Sequence, residues 1–335
     1  GNLLAGVIKD IVPRYWTMRG YYVERRFGWD VHGLPIEMEV QKKLGLDDPQ
    51  QINDFGIDKF NEACRSQVQT NTENWERVTR KIGRWVDFEN DYKTMDIDFM
   101  ESVWWVFKNL WENDLIYKDY KVLPYSWSAA TPLSNFEANM DYRDVEDPSI
   151  FFTLKARSDF NKIKESDKFL VWTTTPWCIP GNLAIAIGKE INYLRIQIKN
   201  DFFWIAKDLL AELNDYDFQV LDESLGEDMI GAEYFPAYSE YENEYSNGAF
   251  RLIHSDDTNT ESGSGLVSQA PAYGESDFYA LKNANIEVIV DPVTLSGKFD
   301  NTIEGIEGLN VKVADKMIIS QLQERGSLFS QKTEI

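Results

Sequence analysis

The sequence predicts an α/β protein made of two bodies, an α/β half rich in helix up to about residue 147 and a β-barrel-like half with a few helices after it. Three observations support this division. The length, 335 residues, exceeds the usual size of one domain and leaves ample material for two cores. Apolar residues before Asp147-Pro148 recur mainly at helical spacing, whereas after it they fall in short runs of strand character. Those runs are separated by turns rich in Gly, Asn, Asp and Ser, residues that tolerate tight backbone reversals.

Taken in order, Leu4, Val7, Ile8 and Ile11 stand at helical spacing directly after Gly1-Asn2, and Asn2 is a good N-cap type, so the chain begins at a helix start. Tyr21-Tyr22-Val23 reads as a short strand and Phe27-Gly28-Trp29-Asp30 as the loop leaving it. Helix, strand and loop in that order form part of a nucleotide-binding α/β unit. Residues 57 to 84 read as helical. A further helix follows the N-cap candidate Asp98, with Met100, Val103, Trp104, Phe107, Leu110 and Trp111 on one stripe, which predicts a core-facing surface. In the second body, Ile150 to Leu154, Phe169 to Trp172, Leu194 to Ile198 and Ile286 to Val290 read as strands. Helical pieces are expected around Lys207 to Leu213 and Val313 to Arg325. Residues 148–325 form this body, and 326–335 are expected to return toward the first. No internal repeat or low-complexity tract interrupts the pattern.

Composition excludes several classes. With 43% hydrophobic and 14% aromatic residues the chain is not disordered. It has no apolar stretch of membrane-spanning length and no signal-like N-terminus, so a soluble cytoplasmic protein, not a membrane one, is expected. The only cysteines are Cys64 and Cys178 and the only histidines His32 and His254, none in metal-ligand spacing, so no zinc site is expected. A formal charge of -22 argues against broad adhesion to nucleic acid, which needs a basic surface to displace counterions. Arg14, Arg19, Arg25 and Arg26, and separately Arg77, Arg80, Lys81 and Arg84, concentrate the positive charge in the first half, where local RNA contact is the more plausible.

One peptide stands out, Trp172-Thr173-Thr174-Thr175-Pro176-Trp177, continued as Cys178-Ile179-Pro180-Gly181-Asn182. Three adjacent hydroxyls between two indoles suit a small pocket for a polar substrate, because a β-branched Thr holds its hydroxyl in a fixed direction at little entropic cost. The run resembles the threonine-rich peptide in the editing domain of isoleucyl-tRNA synthetases, members of the class I aminoacyl-tRNA synthetases. The resemblance extends through Leu3-Leu4-Ala5-Gly6-Val7-Ile8, Gly28-Trp29-Asp30-Val31-His32-Gly33-Leu34-Pro35, Gly83-Arg84-Trp85, Thr131-Pro132-Leu133-Ser134, Gly263-Ser264-Gly265 and Ala270-Pro271-Ala272-Tyr273-Gly274, all in family order. Its flavour is that of the eukaryote-like branch.

The resemblance implies a partial Rossmann-type domain followed by a β-barrel-like editing domain. In the parent reaction ATP and magnesium would drive the joining of isoleucine to its tRNA, with the protein a monomer. The editing site would hydrolyse valyl-tRNA formed from misactivated valine and would need no cofactor. The family's His-x-Gly-His signature would end at Gly1-Asn2, with Asn2 in place of the last histidine, and no Lys-Met-Ser-Lys-Ser loop appears. Complete amino-acid activation by this chain alone is therefore not expected.

Residue by residue, the resemblance assigns the isoleucine ammonium to Asp30, beside Trp29, and places Gly1, Asn2 and His32 near ATP. In the editing pocket it assigns the substrate ammonium to Asp277, hydrogen bonds and bulk to Thr173, Thr174 and Thr175, a wall to Trp177 and a polar contact to Asn182. One departure matters. Nine residues before Asp277 the family normally has histidine, whereas this chain has Ser268 in Val267-Ser268-Gln269-Ala270-Pro271. Serine cannot act as an imidazole base and fills less volume, so hydrolysis is expected to be weakened or lost. A catalytically silent tRNA-binding module is the alternative.

Overall fold

The structure, a computed structural model, describes residues 2–46, 49–140 and 142–334, and its contacts divide the chain into two compact units, Gly1–Asp119 and Tyr120–Ile335. The division falls ahead of the change in texture at 147, because the short hairpin β3 (Tyr125–Ser126) and β4 (Thr131–Pro132) packs on later residues. The Tyr125 hydroxyl donates to the Leu295 carbonyl at 2.9 Å, and the Trp127 side chain occupies the space where a Cβ on Gly297 would stand.

The first unit contains α1 (Asn2–Met18), β1 (Arg26–Trp29), α2 (Leu34–Leu44), α3 (Pro49–Phe55), α4 (Ile57–Lys81), β2 (Asp87–Lys93) and α5 (Ile97–Glu112). The helix read from residue 57 and the one at the chain start both form. The expected strand is displaced, since residues 21–25 are irregular and the ladder begins at Arg26. The reason is pairing. A strand needs a partner, and parallel β2 offers one from Arg26↔Asp87 to Trp29↔Lys93, with Gly28 bare where the Tyr92 ring lies against the backbone. The helix α5 is also present, capped at Asp96 and not at Asp98, but its stripe is not core. None of its residues is buried, and Trp104 and Trp111 are 69% and 54% exposed, because no described residue of this unit covers that face.

The second unit is built on a nine-stranded mixed sheet of β5 (Asp147–Lys155), β6 (Asp167–Thr173), β7 (Ala184–Ile187), β8 (Asn192–Ile198), β9 (Asp201–Ala206), β10 (Gln219–Leu225), β11 (Arg251–His254), β12 (Val267–Gln269) and β13 (Leu328–Glu334). The helices α6 (Asn135–Ala138), α7 (Glu275–Asn283) and α8 (Val311–Glu324) complete it. Its order is β10-β8-β9-β6-β12-β7-β11, with β5 branching from β6 and carrying β13. The curled, barrel-like sheet surrounds Phe152, Phe169, Tyr193, Trp204 and Tyr234, all fully buried. β13 continues this sheet antiparallel to β5, so Leu328–Glu334, in the segment expected to return toward the first unit, pairs within the sheet of the second. Ile286 to Val290 has no regular secondary structure and lies in no ladder, unlike the strand expected there. Its apolar residues still bury Ile286 and Val290 in the core, which is what the sequence pattern recorded.

The Gly263-Ser264-Gly265 turn illustrates close approach. Gly265 has φ +72°, and a Cβ there would lie 2.4 Å from the Ala206 Cβ on β9. Gly265→Ala is therefore expected to cost about 1–3 kcal/mol of stability, read as a lower urea midpoint.

Candidate active site

The threonine peptide forms where β6 ends. Thr173 closes the ladder opposite Ile150, Thr174 bends, and Thr175 leads into a 3-10 turn over Pro176–Gly181. The proline suits this entry, since it needs no amide donor and holds a helical φ. The Thr173 Oγ1 accepts the Thr175 N–H at 3.1 Å and lies 3.2 Å from the Thr175 Oγ1. All three threonines are half-buried. Trp177 packs on Tyr273 with ring centroids 4.8 Å apart, and both line a pocket of about 620 Å³ with Trp127, Phe278 and Val293.

Strand β12 lies between β6 and β7, with Val267 opposite Trp172 and Ser268 opposite Ile185, which carries Ser268 into the same region. Asn182 is buried. Its amide donates to the Ser268 Oγ at 2.9 Å and the Ala184 carbonyl at 2.8 Å, while its Oδ1 accepts the Tyr234 hydroxyl at 2.6 Å. The polar contact expected from Asn182 is thus made to protein groups, and its effect is to orient Ser268. A serine oxygen accepting from Asn182 keeps its own proton for another acceptor.

Asp277 stands in the first turn of α7, and its carboxylate folds back to accept the Ala270 N–H at 2.8 Å. Gly274 makes room, since a Cβ there would meet that carboxyl at 2.8 Å. Burial is the main influence on Asp277 and raises its pKa, with the Ala270 hydrogen bond opposing. The same surroundings push the Cys178 thiol up to about 12, chiefly by burial, with the Asp277 and Asp315 carboxylates adding. Cys178 is therefore a neutral packing residue and not a nucleophile. Asp277 and Asp315 are thus both charged neighbours of Cys178, the residue after Trp177 in the turn, whose thiol the Thr175 side chain hydrogen-bonds.

Asp315 and Tyr234 have no counterpart in the sequence expectations. Asp315 is 4% exposed on α8, and its Oδ1 accepts the Trp177 N–H at 2.8 Å. Burial pushes its carboxyl up to about 6 from an ordinary 3.8, against the Trp177 hydrogen bond and Lys312. Relative to the unfolded chain, folding therefore favours the protonated form. The stability this group contributes is complete below 3.8 and is lost as pH rises through about 6. The available signal was a single acid on the face otherwise made of Val311, Ala314, Ile318 and Leu322.

In the first unit Trp29 is fixed by donating its indole N–H to Asp91 at 2.7 Å, and Asp30 follows it, exposed at the end of β1. Both line a pocket of about 320 Å³ with Ile36, Val68, Thr72 and Trp75. His32 is exposed and outside that lining. Gly1 lies outside the described residues, as does the Asn2 side chain.

Residues 1–296 match the family model for tRNA synthetases class I (I, L, M and V). A protein of Bdellovibrio bacteriovorus named isoleucine--tRNA ligase is 45% identical over 339 residues, covering 99% of this chain and 31% of that protein. The isoleucine--tRNA ligase of Chlamydia pneumoniae is 44% identical over 99% of this chain and 32% of its own length, and that of Tetrahymena thermophila 42% identical over 98% and 31%. The chain spans about a third of the length of the curated relatives it matches. Among solved structures, the P. knowlesi cytosolic leucyl-tRNA synthetase editing domain is 8% identical, covers 58% of this chain and 98% of its own, and has a TM-score of 0.42, below the level at which folds are equated. Among the described residues no helix is long and apolar enough to cross a membrane.

Proposed function

Because the chain belongs to the class I tRNA synthetases (I, L, M and V), we propose that its first unit is part of an isoleucine-activating catalytic domain and its second an editing domain that hydrolyses valyl-tRNA, slowly for want of an imidazole. The observation that carries this reading is the gathering of Thr173, Thr175, Asp277 and Ser268 around the end of β6 and the flanking strand β12. A hydrolytic correction is needed because one missing methylene changes binding by only about 1–3 kcal/mol, isoleucine against valine being the standard instance of this limit.

At the end of β6, beside the pocket that Trp177 lines, the Asp277 carboxylate takes the α-ammonium of the valyl group, and the threonine hydroxyls hydrogen-bond the ester. Water attacks the valyl carbonyl carbon, the ester C–O bond breaks, and the ribose oxygen of the tRNA end regains a proton. Free valine and deacylated tRNA leave. The neighbouring ribose hydroxyl supplies the proton relay, and the protein supplies orientation. Trp177 and the Pro176–Gly181 turn bound the space available to the side chain.

In the first unit, the 320 Å³ pocket beside Asp30 suits an amino acid whose ammonium meets the carboxylate. ATP and magnesium belong to the parent reaction. Among the described residues no cluster of three or more His, Cys, Asp or Glu is placed to hold a metal ion, and of the expected nucleotide contacts only the His32 side chain is described.

The competing reading is a silent module that binds the tRNA end, favoured by serine at 268. Ser268→His separates the two. The substitution is expected to raise valyl-tRNA hydrolysis about tenfold or more, a part of the 10²–10⁴-fold that a general base supplies. A folded protein that binds valyl-tRNA yet hydrolyses it in neither form would establish the silent module.

A further inference from the structure

We propose that Asp315 is a positioning residue of the threonine peptide, taking over the capping of the Pro176–Gly181 turn so that the Thr175 hydroxyl is left to side-chain contacts that a substrate can replace. The argument starts from an exception to helix capping. A threonine just before a helical turn normally turns its own oxygen onto an amide two or three residues ahead. Thr175 occupies that place and makes no such bond. The amide it would serve, that of Trp177, donates instead to Asp315 at 2.8 Å, from a helix 138 residues further along the chain.

The consequence is local. Relieved of capping, the half-buried Thr175 hydroxyl lies 3.2 Å from that of Thr173 and hydrogen-bonds the Cys178 thiol, both side-chain contacts that a substrate oxygen can replace. Had the hydroxyl capped its own turn, its lone pairs would be spent on backbone. Asp315 lies among the buried residues of its helix, with Val311, Ala314, Ile318 and Ile319. The charged and titratable groups around it are Lys312 on α8, Asp147 on β5 and Cys178 in the turn, and Lys312 is itself engaged with Asp147 at 2.7 Å. No side chain cation is hydrogen-bonded to Asp315 among the described contacts, so the backbone amide is its main partner.

The inference rests on the editing reading for its catalytic consequence but not for its structural content, and two measurements on this chain separate them. The first is NMR of the Thr175 side-chain rotamer and the Trp177 amide. The Trp177 amide proton should titrate with a midpoint near 6 as its carboxylate acceptor is protonated, and the titration should vanish in Asp315→Asn. In Asp315→Ala the Thr175 rotamer should switch as its hydroxyl caps the orphaned amide, while Asp315→Asn, which keeps an acceptor oxygen, should retain the original rotamer. An amide that does not titrate, or a rotamer indifferent to Asp315→Ala, overturns the proposal whatever the chain hydrolyses. The second is hydrolysis of valyl-tRNA. Asp315→Ala should lower kcat at least about tenfold with KM little changed, Asp315→Asn should rescue most of that loss, and on a Thr175→Val background Asp315→Ala should have little further effect. Equal losses with and without the Thr175 hydroxyl would contradict the catalytic role even if the cap is confirmed. A chain with no hydrolysis at all would count against the editing reading and leave the NMR result to decide the cap.

Discussion

Asp277→Ala is expected to lower valyl-tRNA hydrolysis by between about thirtyfold and several thousandfold, the range that follows from about 2–5 kcal/mol for removing one partner of a desolvated charge pair. The carboxylate is the acidic group on α7 that reaches the loop after β12, and its burial makes a charged contact with an ammonium stronger than it would be in water. The same substitution also leaves the Ala270 N–H without an acceptor, at about 1–3 kcal/mol of stability. Asp277→Asn separates the two effects, because an amide oxygen still receives the Ala270 N–H while the negative charge is gone. Urea melts should therefore show Asn near the parent and Ala below it, whereas hydrolysis should be low in both. The pH dependence follows from the raised pKa. As pH falls, the carboxylate is protonated earlier than an ordinary aspartate, so hydrolysis should decline from a higher pH than for an exposed carboxyl.

Asp167→Ala should produce the largest loss of stability, about 3–5 kcal/mol, as expected when one member of a buried ion pair is removed. Asp167 is fully buried at the start of β6. Its carboxylate accepts Arg195 Nη2 at 2.7 Å and Nε at 2.9 Å, the Trp204 indole N–H at 3.0 Å and the Lys164 N–H at 2.9 Å. Removing it strands the Arg195 guanidinium, which is only 16% exposed, on β8, and leaves the Trp204 indole without its acceptor. The double change Asp167→Leu, Arg195→Met is expected to recover much of the loss, because neither charge then lies unpaired in the sheet. Denaturant midpoints for the three proteins check this directly, and a single variant as stable as the parent would show that the pair is dispensable.

How far these features were legible differs by kind. Local periodicity located α4, α8, β5, β6 and β8, since in each the apolar spacing and the flanking turn residues agree. The shift of β1 to Arg26 was not legible, because it depends on register with β2, whose pairing residues lie about sixty positions away. The stripe on α5 was read correctly as apolar but wrongly as buried, since burial is decided by what covers a face and not by the face. At the candidate site, the threonine peptide drew attention through its composition and Asp277 through its family context. Asp315 stayed hidden because its partner is a backbone amide, which leaves no residue-type signature at position 177. Tyr234 was hidden for a related reason. A buried tyrosine is ordinary until the acceptor of its hydroxyl, here Asn182, is known.

The central claim, that this chain carries an editing pocket able to act without an imidazole, is tested most directly by single-turnover hydrolysis of valyl-tRNA and isoleucyl-tRNA with the chain in excess. The expected result is release of valine above the spontaneous rate while isoleucyl-tRNA decays no faster than in buffer. Valyl-tRNA and isoleucyl-tRNA both decaying at the buffer rate, with the protein folded, would contradict it.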